Sequence, residues 1–181
     1  TIGNTAPEVV EGGFTPAAPQ TNDVVTLTAV MDDADIMDSL TLAVSWMVNG
    51  ESVGATGDTL DGAVHFDKGD VISASVTASD GDDVSSPMSL DPITVINSLP
   101  SLSSVGVTPA EARAGSGVEC LTTGAADADG DEVAVHISWT VDGTEVGTDP
   151  TISEGFSKGD NLVCTATPHD GEGPGDSGWA S

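Results

Sequence analysis

The sequence is poor in aromatic and basic side chains, and these two shortages exclude several classes of protein. Tyrosine is absent and aromatic residues make up 3% of the 181 residues, so a core must rest on Val, Leu, Ile and Ala. Three Lys and Arg against 30 Asp and Glu give a formal net charge of −27. Nucleic acids and anionic membrane surfaces are bound by clustered basic residues, so neither is an expected partner. Such acidity is typical of proteins exposed to brine or of proteins that take up cations.

Long apolar runs and paired Cys/His motifs are also lacking. No run approaches the roughly 18 apolar residues that span a bilayer, so membrane insertion is not expected. Two cysteines without metal-type spacing predict one disulfide rather than a zinc site. His65 and His169 are isolated from any such spacing, and His136 is expected on the outer face of a strand. We therefore predict no transition-metal site.

One short motif suggests catalysis but lacks its partners. GDSG at 175–178 matches the segment around the nucleophile of trypsin-like serine proteases, which would make Ser177 the reactive residue. That chemistry also needs a histidine, an aspartate and an oxyanion hole, and no matching histidine motif is present. The sequence therefore predicts no catalytic residues and no enzyme.

The chain contains an internal repeat. NTAP at 4–7 recurs as NSLP at 97–100, and SWMVNG at 45–50 recurs as SWTVDG at 138–143. FDKGD at 66–70 then recurs as FSKGD at 156–160, three residues closer. Landmarks shared in one order indicate a duplication. We predict two tandem domains, residues 1–97 and residues 98–181.

Apolar and polar residues alternate inside each copy. Every second residue is apolar in LTLAVSWMV (40–48) and in VAVHISWTV (133–141). This period predicts strands with one buried face, and clusters of Gly, Asp, Asn and Pro between the runs predict turns. About seven short strands in each copy indicate an all-β protein made of two β-sandwiches.

Cys120, Trp139 and Cys164 follow one another in the second copy, each on the inward side of its run. This order resembles the immunoglobulin-like sandwich, in which a disulfide between strands B and F packs on a tryptophan of strand C. The resemblance implies a Cys120–Cys164 bond, with Trp46 and Trp139 in the two cores. The first copy has an apolar pair at the cysteine positions, and the tyrosine corner of the family is absent. A disulfide implies a location outside the reducing cytosol.

More narrowly, the whole chain is similar to the tandem immunoglobulin-like, cadherin-like repeats of large secreted or surface-attached bacterial and archaeal proteins. The motifs that carry this similarity are NSLP, VTP, DADGD, SWTVDG, KGD and CTATPHDG in the second copy and their counterparts in the first. The resemblance implies a non-enzymatic module of an extracellular filament, stalk or cell-surface adhesin. The module is expected to be stiffened at its domain junctions. Its expected partners are adjacent repeats or neighbouring copies of the same protein, with which it could also assemble by strand exchange.

A function of another class stays open. The chain could be an accessory module of a secreted hydrolase that binds polysaccharide or protein. Binding of this kind usually uses an exposed aromatic side chain, and Trp179 is the candidate, since Trp46 and Trp139 are expected to be buried.

Acidic residues are concentrated in DADGDE at 127–132, between strands B and C of the second copy. Cadherin-like arrays bind calcium at domain junctions through aspartates of this loop, so the resemblance implies a Ca²⁺ site at Asp127, Asp129 and Asp131. Asp170, in the F–G loop, is expected at the same pole. Ca²⁺ takes six to eight oxygen ligands, so further donors are needed.

The first copy is expected to supply those further donors. They would come from turns at its exit pole and are Asn22, Asp23, Asp67 and Asp70, of which Asp67 and Asp70 are the main candidates across the junction. The corresponding loop of the first copy, DDADIMD at 32–38, has lost the regular spacing. Its Asp33, Asp35 and Asp38 would serve a domain that precedes Thr1.

Two interpretations without a metal also stay open. Asp and Gly are the usual residues of exposed turns, so the loop can be simply solvated. Alternatively, Lys68 can reach the carboxylates of 127–132 without any metal, although an exposed pair contributes only about 0–1 kcal/mol. Lys68 and Lys158 occupy equivalent E–F turns.

The termini predict incomplete final strands. TIGNTAP at 1–7 aligns with TVINSLP at 94–100, so residues 1–6 are expected to be the end of a preceding G strand. GDSGWAS at 175–181 stops where the second G strand is expected to start. That strand is therefore expected to be missing here and to belong to a longer array, or to be supplied in trans by another copy.

Overall fold

The computed structural model describes residues 3–113 and 115–181, which form two compact units that divide between Asn97 and Ser98. The pairings between their named strands are all antiparallel, and the helix Gly62–His65 is a single turn. The all-β prediction is therefore confirmed. Within these two described ranges, no helix has the length and apolar character needed to cross a bilayer. Thr1 and Ile2, part of the predicted preceding strand, lie outside the described residues.

The first unit consists of two sheets. Its strands are β1 (Glu8–Thr15), β2 (Val24–Asp32), β3 (Thr41–Val48), β4 (Glu51–Ser52), β5 (Thr59–Asp61), β6 (Val71–Ser79), β7 (Met88–Ser89) and β8 (Ile93–Thr94). One sheet has the order β1-β2-β5; the other has the order β4-β3-β6-β7, and β8 also pairs with β6. In immunoglobulin lettering these sheets are A-B-E and C′-C-F-G, and strand G is formed by β7 and β8 together.

The second unit repeats this arrangement. Its strands are β9 (Ser104–Thr108), β10 (Val118–Thr123), β11 (Ala134–Val141), β12 (Thr144–Gly147), β13 (Thr151–Ile152), β14 (Leu162–His169) and β15 (Gly178–Ala180). The sheets have the orders β13-β10-β9 and β12-β11-β14-β15, which again are A-B-E and C′-C-F-G. Both units are immunoglobulin-like β-sandwiches, as the sequence predicted.

The hairpin between strands C and C′ shows why the two copies keep the same turn. Asn49-Gly50 and Asp142-Gly143 connect these strands, and all four residues have positive φ, between 50° and 83°. A two-residue turn with positive φ at both positions matches the twist of the flanking strands and favours Asn-Gly or Asp-Gly. The motif WxVNG/WxVDG therefore fixes the register of strand C, which carries the buried tryptophan.

The core of the first unit surrounds Trp46. Its indole is fully buried, lies 5.5 Å from the ring of Phe14 between centroids, and donates its N–H to the carbonyl of Gly57 at 3.0 Å. The indole is therefore both packed and hydrogen-bonded, which a buried tryptophan requires. The buried side chains packed around it include Val25, Leu27, Leu60, Phe66, Ile72, Ala74, Val76 and Val95.

The core of the second unit is smaller and contains a disulfide. Trp139 is fully buried and donates its indole N–H to the carbonyl of Asp149 at 2.9 Å. Cys120 on β10 and Cys164 on β14 are bonded, with their Cα atoms 6.0 Å apart, so the bond links the two sheets. Leu27 and Ala74 occupy the equivalent positions of the first unit and are both buried.

The second unit contains the first segment of its final strand, strand G. The sequence predicts this strand to be missing or supplied in trans, but Gly178–Ala180 form β15, which pairs with β14 from Cys164 to Ala166. The reason is a register that the sequence pattern did not show: Trp179 lies opposite Thr165, as Ser89 lies opposite Ser75 in the first unit.

Candidate cation sites in the loops between strands B and C

Three aspartates converge in the B–C loop of the second unit. Asp127, Asp129 and Asp131 each place a carboxylate oxygen within 4.8 Å of the others. The loop folds tightly because Asp127 Oδ1 accepts the backbone N–H of Asp129 at 2.7 Å and that of Asp131 at 3.5 Å. Three like charges at this distance repel each other unless protons or a cation reduce the charge.

The second carboxylate oxygen of Asp127 is the atom of this cluster that is best suited to bind a cation. Asp127 Oδ2 is buried, and no hydrogen-bond partner reaches it in the part of the chain that the structure describes. A buried carboxylate oxygen without a partner is costly, because it has lost its water and gained nothing in return. Carboxylate oxygens are the ligands that Ca²⁺ and Mg²⁺ prefer, so the donor set fits a hard divalent cation.

Asp129 has a second task at the entry of the unit. Its Oδ2 accepts the backbone N–H of Ser98 at 2.6 Å, and its Oδ1 accepts the Ser98 hydroxyl at 3.0 Å. Ser98 is the first residue of the second unit. The acidic loop therefore holds the segment through which the chain enters the sandwich.

The first unit contains the same arrangement. Asp33 Oδ1 accepts the N–H of Asp35 at 2.8 Å, and Asp35 Oδ2 accepts the N–H of Thr5 at 2.8 Å. Asp33 Oδ2 is buried and, like its counterpart in the second unit, has no hydrogen-bond partner among the described residues. The loss of the regular Asp spacing in this copy has therefore not removed the local geometry.

The acidic cluster of the first unit differs in one member. Oxygens of Asp33, Asp38 and Asp80 lie within 4.8 Å of each other. The sequence pattern predicts a group of Asp33, Asp35 and Asp38, and it does not indicate Asp80. Asp80 belongs to the F–G loop, 42 residues further along the chain than Asp38, so only the folded structure brings them together. The amide Nδ2 of Asn4 donates to Asp80 Oδ2 at 3.0 Å and to Asp83 Oδ2 at 2.9 Å.

The cluster shifts two pKa values in opposite directions. Desolvation first, and then the charges of Asp33, Asp35, Asp80 and Asp82, raise the pKa of Asp38 above its ordinary value. The pKa of Asp80 is lowered, chiefly because the backbone N–H of Asp83 donates to it, with the Asn4 amide next. Ionisation of Asp38 therefore costs more than ionisation of an isolated aspartate, and a cation held beside its carboxylate would relieve that cost.

The other predicted ligands serve turns of their own units. Asp170 Oδ1 accepts the N–H groups of Glu172 and Gly173, both at 2.7 Å, as Asp80 Oδ1 does for Asp82 and Asp83. Asp23 Oδ2 accepts the N–H of Gln20 at 2.9 Å. Asp70 accepts from Asp67 N at 2.8 Å and from Asn49 Nδ2 at 2.7 Å. Their role as ligands stays a prediction.

Lys68 binds the last residue of the first unit. Its ammonium group donates to Asn97 Oδ1 at 2.8 Å, and its backbone N–H donates to Thr21 Oγ1 at 3.0 Å. Gln20 Nε2 donates to the Asn97 carbonyl at 3.0 Å. The end of the first unit is therefore held by side chains, as the beginning of the second unit is.

Two side-chain pairs lie outside the acidic loops. His136, predicted to be a surface residue, and His169, predicted to be isolated, stack with their ring centroids 5.0 Å apart. They meet because β11 and β14 are neighbours in one sheet. The Ser177 hydroxyl lies 2.7 Å from the hydroxyl of Thr167 on the same face. These contacts are between strands, so the sequence pattern did not reveal them.

The strand order of each unit and the acidic B–C loops define a tandem immunoglobulin-like module. No family model matches the sequence, and the comparison with curated proteins finds no match. Among solved structures, the chain is similar to three N-terminal domains of the bacteriophage RB49 highly immunogenic outer capsid protein, with a TM-score of 0.36 and 18% identity over 97% of this chain. It spans 58% of the length of that three-domain chain. Fibronectin(III)-like modules of Clostridium thermocellum CbhA are similar at a TM-score of 0.32 and 15% identity, covering 94% of this chain and 93% of theirs.

Proposed function

We propose that this chain is a non-enzymatic structural module of an extracellular filament, stalk or adhesin, built to keep consecutive sandwiches in a fixed relation. Its partners would be adjacent repeats or neighbouring copies of the same protein. The Cys120–Cys164 bond supports a location outside the reducing cytosol, where disulfides persist.

One observation carries this proposal: consecutive residues at the boundary are each held by a different unit. Asn97 accepts hydrogen bonds from Lys68 and Gln20 of the first unit. Ser98 donates its N–H and hydroxyl to Asp129 of the second unit. A flexible linker needs residues that are free of such contacts. Here the two hydrogen-bonded residues, Asn97 and Ser98, follow each other directly, and no free residue lies between them. This arrangement is expected of a stiff connection.

The hydrogen bond between the entering chain and an aspartate of the B–C loop, here called the entry clamp, is present in both units. Its presence in both supports a role in every repeat. Thr5 and Ser98 are equivalent residues of the repeat, and each donates its backbone N–H to the equivalent aspartate, Asp35 or Asp129. A polar contact retained in both copies, although the loop sequences have diverged, is tied to the way the chain enters each sandwich. We infer that every repeat of such an array would be clamped in this way.

Calcium would complete the clamp. In the second unit Asp127, Asp129 and Asp131 would hold Ca²⁺, with Asp127 Oδ2 as the oxygen that gains most, because it is buried and has no partner among the described residues. In the first unit Asp33, Asp38 and Asp80 would hold a second ion. A bound cation neutralises the cluster and thereby supports the entry contact of Asp129. Water and backbone carbonyls would supply the remaining ligands.

Removing calcium is expected to lower the melting temperature of the protein. A ligand that binds only the folded state at about 100 times its Kd stabilises that state by about 2.7 kcal/mol, and chelation removes this contribution. The measurement is differential scanning calorimetry in calcium and in EGTA, with isothermal titration for the number of sites. Two sites per chain are expected.

The variant Asp127→Asn tests the assignment, because it removes the charge at the buried oxygen and keeps the size of the side chain. It is expected to remove one of the two calcium sites. Asp176→Asn is the matched control, since it makes the same change at an exposed residue of the same unit. Equal melting curves with calcium and with EGTA for the unmodified protein would contradict the calcium proposal and favour a solvated loop.

A second candidate function is supported by the outer face of the C′-C-F-G sheet in the second unit. Trp179 is 70% exposed and lies opposite Thr165, which lies opposite Ser138 on β11. Partners in register share one face, so this face also carries the stacked His136 and His169. An exposed aromatic ring among hydroxyl and imidazole groups is a surface on which a sugar ring can stack.

Polysaccharide binding at this face is expected to change the fluorescence of one tryptophan. Trp46 and Trp139 are fully buried, so a ligand-dependent change would report on Trp179. Titration with soluble oligosaccharides should give a saturable change that Trp179→Ala abolishes, without a change in melting temperature. Binding that survives this substitution would place the ligand elsewhere.

A further inference from the structure

His136 and His169 form a pair on the outer face of the C′-C-F-G sheet in the second unit. Their ring centroids are 5.0 Å apart, and their ring planes are 26° from parallel. His136 is exposed and His169 is partly buried, so solvent reaches the pair. The third histidine of the chain, His65, lies in the first unit. The fold of the second unit therefore concentrates two imidazole groups at one place on its surface.

The register of two neighbouring strands brings these rings together. β11 and β14 pair with Ala134 opposite His169 and with His136 opposite Thr167, so the two histidines are diagonal neighbours on adjacent strands. Aromatic side chains in this relation are close enough to touch. His136 points away from the core, because it alternates along β11 with the buried Trp139. The backbone thus fixes where both side chains start, and their side-chain torsions remain to be adjusted.

Two imidazole groups at this spacing are a donor set for a transition metal. A neutral imidazole binds a metal through one ring nitrogen, and histidine is the commonest metal ligand among the side chains. A Zn–N bond is about 2.0–2.1 Å long, so two nitrogens bound to one tetrahedral ion lie about 3.4 Å apart. The ring nitrogens lie away from the ring centroids, so rotation of the exposed His136 ring can bring one nitrogen of each ring to this distance. The strands themselves need not move.

The charges around the pair also favour a cation. The chain has a formal net charge of −27, which raises the local concentration of cations at its surface. Glu145 Oε2 accepts the hydroxyl of Ser138 at 3.2 Å, and Ser138 is two residues from His136 on the same face of β11. Asp170 directly follows His169. The four strands of this sheet contain no Lys or Arg, so their own side chains bring no ammonium or guanidinium group to the pair.

We propose that His136 and His169 together bind a late first-row divalent cation, such as Zn²⁺ or Cu²⁺. Imidazole nitrogen is a preferred ligand of these ions, whereas the all-oxygen aspartate loops suit Ca²⁺. Water would supply the remaining ligands. The sequence predicts no such site, because neither histidine has another ligand near it along the chain. This inference goes beyond the structural role of the module and does not depend on calcium.

One such site per chain is expected. In the first unit Ala43 and Ser79 occupy the register positions that His136 and His169 have in the second. An ion held by His136 and His169 would join strands C and F, the two central strands of the sheet. It would stabilise the folded second unit, because the unfolded chain does not hold the two rings together.

NMR of the histidine ring protons tests this assignment in the full chain, because the three histidines are few enough to be assigned one by one. Zn²⁺ is added in an excess of Ca²⁺, so that carboxylates that prefer hard cations are occupied. The signals of His136 and His169 are expected to shift together and to saturate at one Zn²⁺ per chain, while those of His65 stay unchanged. A shift of neither ring, of one ring alone, or of all three equally would overturn the proposal.

Substitutions separate chelation by both rings from independent binding to each. In isothermal titration with Zn²⁺, His136→Ala and His169→Ala are each expected to weaken binding by about tenfold or more. The double variant should lose little beyond either single one, because a chelate needs both rings. His65→Ala is the matched control, since it removes the one histidine outside the pair, and it should leave the affinity unchanged. Losses that simply add would indicate two independent weak sites and contradict the proposal.

Bound Zn²⁺ is also expected to stabilise the second unit. Its melting temperature should rise by about 4 °C or more in saturating Zn²⁺, and hydrogen exchange should slow in β11 and β14. The same addition to His136→Ala should cause neither change, and a rise that persists in this variant would place the ion elsewhere. Because the aspartate loops are untouched by these substitutions, failure of the histidine site would leave the calcium measurements and the clamped boundary unaffected.

Discussion

Replacing both Cys120 and Cys164 by alanine is expected to lower the free energy of unfolding of the second unit by about 4 kcal/mol. The bond closes a loop with a sequence separation of 44, and a loop of this length restricts the unfolded chain by about that amount. The core cluster around it is small, since its buried members besides the two cysteines are Val118 and Trp139, whereas the core cluster of the first unit has eleven buried residues, so few other contacts compensate. Hydrogen exchange followed by mass spectrometry assigns the loss to residues 98–181.

The first unit provides a matched variant for this experiment. It places Leu27 and Ala74 where the second unit has its cysteines. Cys120→Leu with Cys164→Ala copies that solution into the second unit and should recover part of the lost stability, because the leucine refills the space that alanine leaves. Reducing agent should destabilise the unmodified protein and have no effect on either variant. Equal stability of the unmodified protein and the double alanine variant would contradict a structural role for the bond.

Trp46→Ala is expected to have an effect of similar size in the first unit, about 3–5 kcal/mol. The substitution removes a fully buried indole, the ring contact with Phe14 and the hydrogen bond to the Gly57 carbonyl. Nothing covalent links the sheets at the position where the second unit has its disulfide, since Leu27 and Ala74 stand there. Denaturant unfolding followed by circular dichroism measures the change, and hydrogen exchange assigns it to the first unit, because Trp139 and Trp179 both lie in the second.

The matched control is Trp179→Ala, which removes the same side chain from an exposed position. Exposed substitutions usually change stability by no more than about 0.5 kcal/mol. A loss at Trp179 as large as that at Trp46 would mean that the outer sheet face, rather than the core, determines stability.

The fold could be predicted from the sequence because its signals are local and repeated. Alternation in LTLAVSWMV and VAVHISWTV, with Asn-Gly or Asp-Gly directly after it, defines a strand and its turn without any long-range information. The internal repeat then doubled each signal. A pattern that identifies strand C in one copy is supported by its counterpart 93 residues later.

The candidate sites were predicted only where their residues are close in sequence. Asp127, Asp129 and Asp131 lie within five residues and were found. Asp80 was missed because it joins Asp33 and Asp38 from the F–G loop. The stacked His136 and His169 were missed because their contact depends on the register of two strands. Periodicity shows which face of a strand is buried, and it does not show which loops meet.

The single disulfide would make the two sandwiches respond differently to pulling. If tension along an array unfolded the first unit, all of its residues could be drawn out. In the second unit the disulfide would keep the residues between Cys120 and Cys164 from being extended. At roughly 3.4 Å per residue, this loop corresponds to about 150 Å of extended chain. The length that the second unit could release under force would therefore depend on the oxidation state of Cys120 and Cys164.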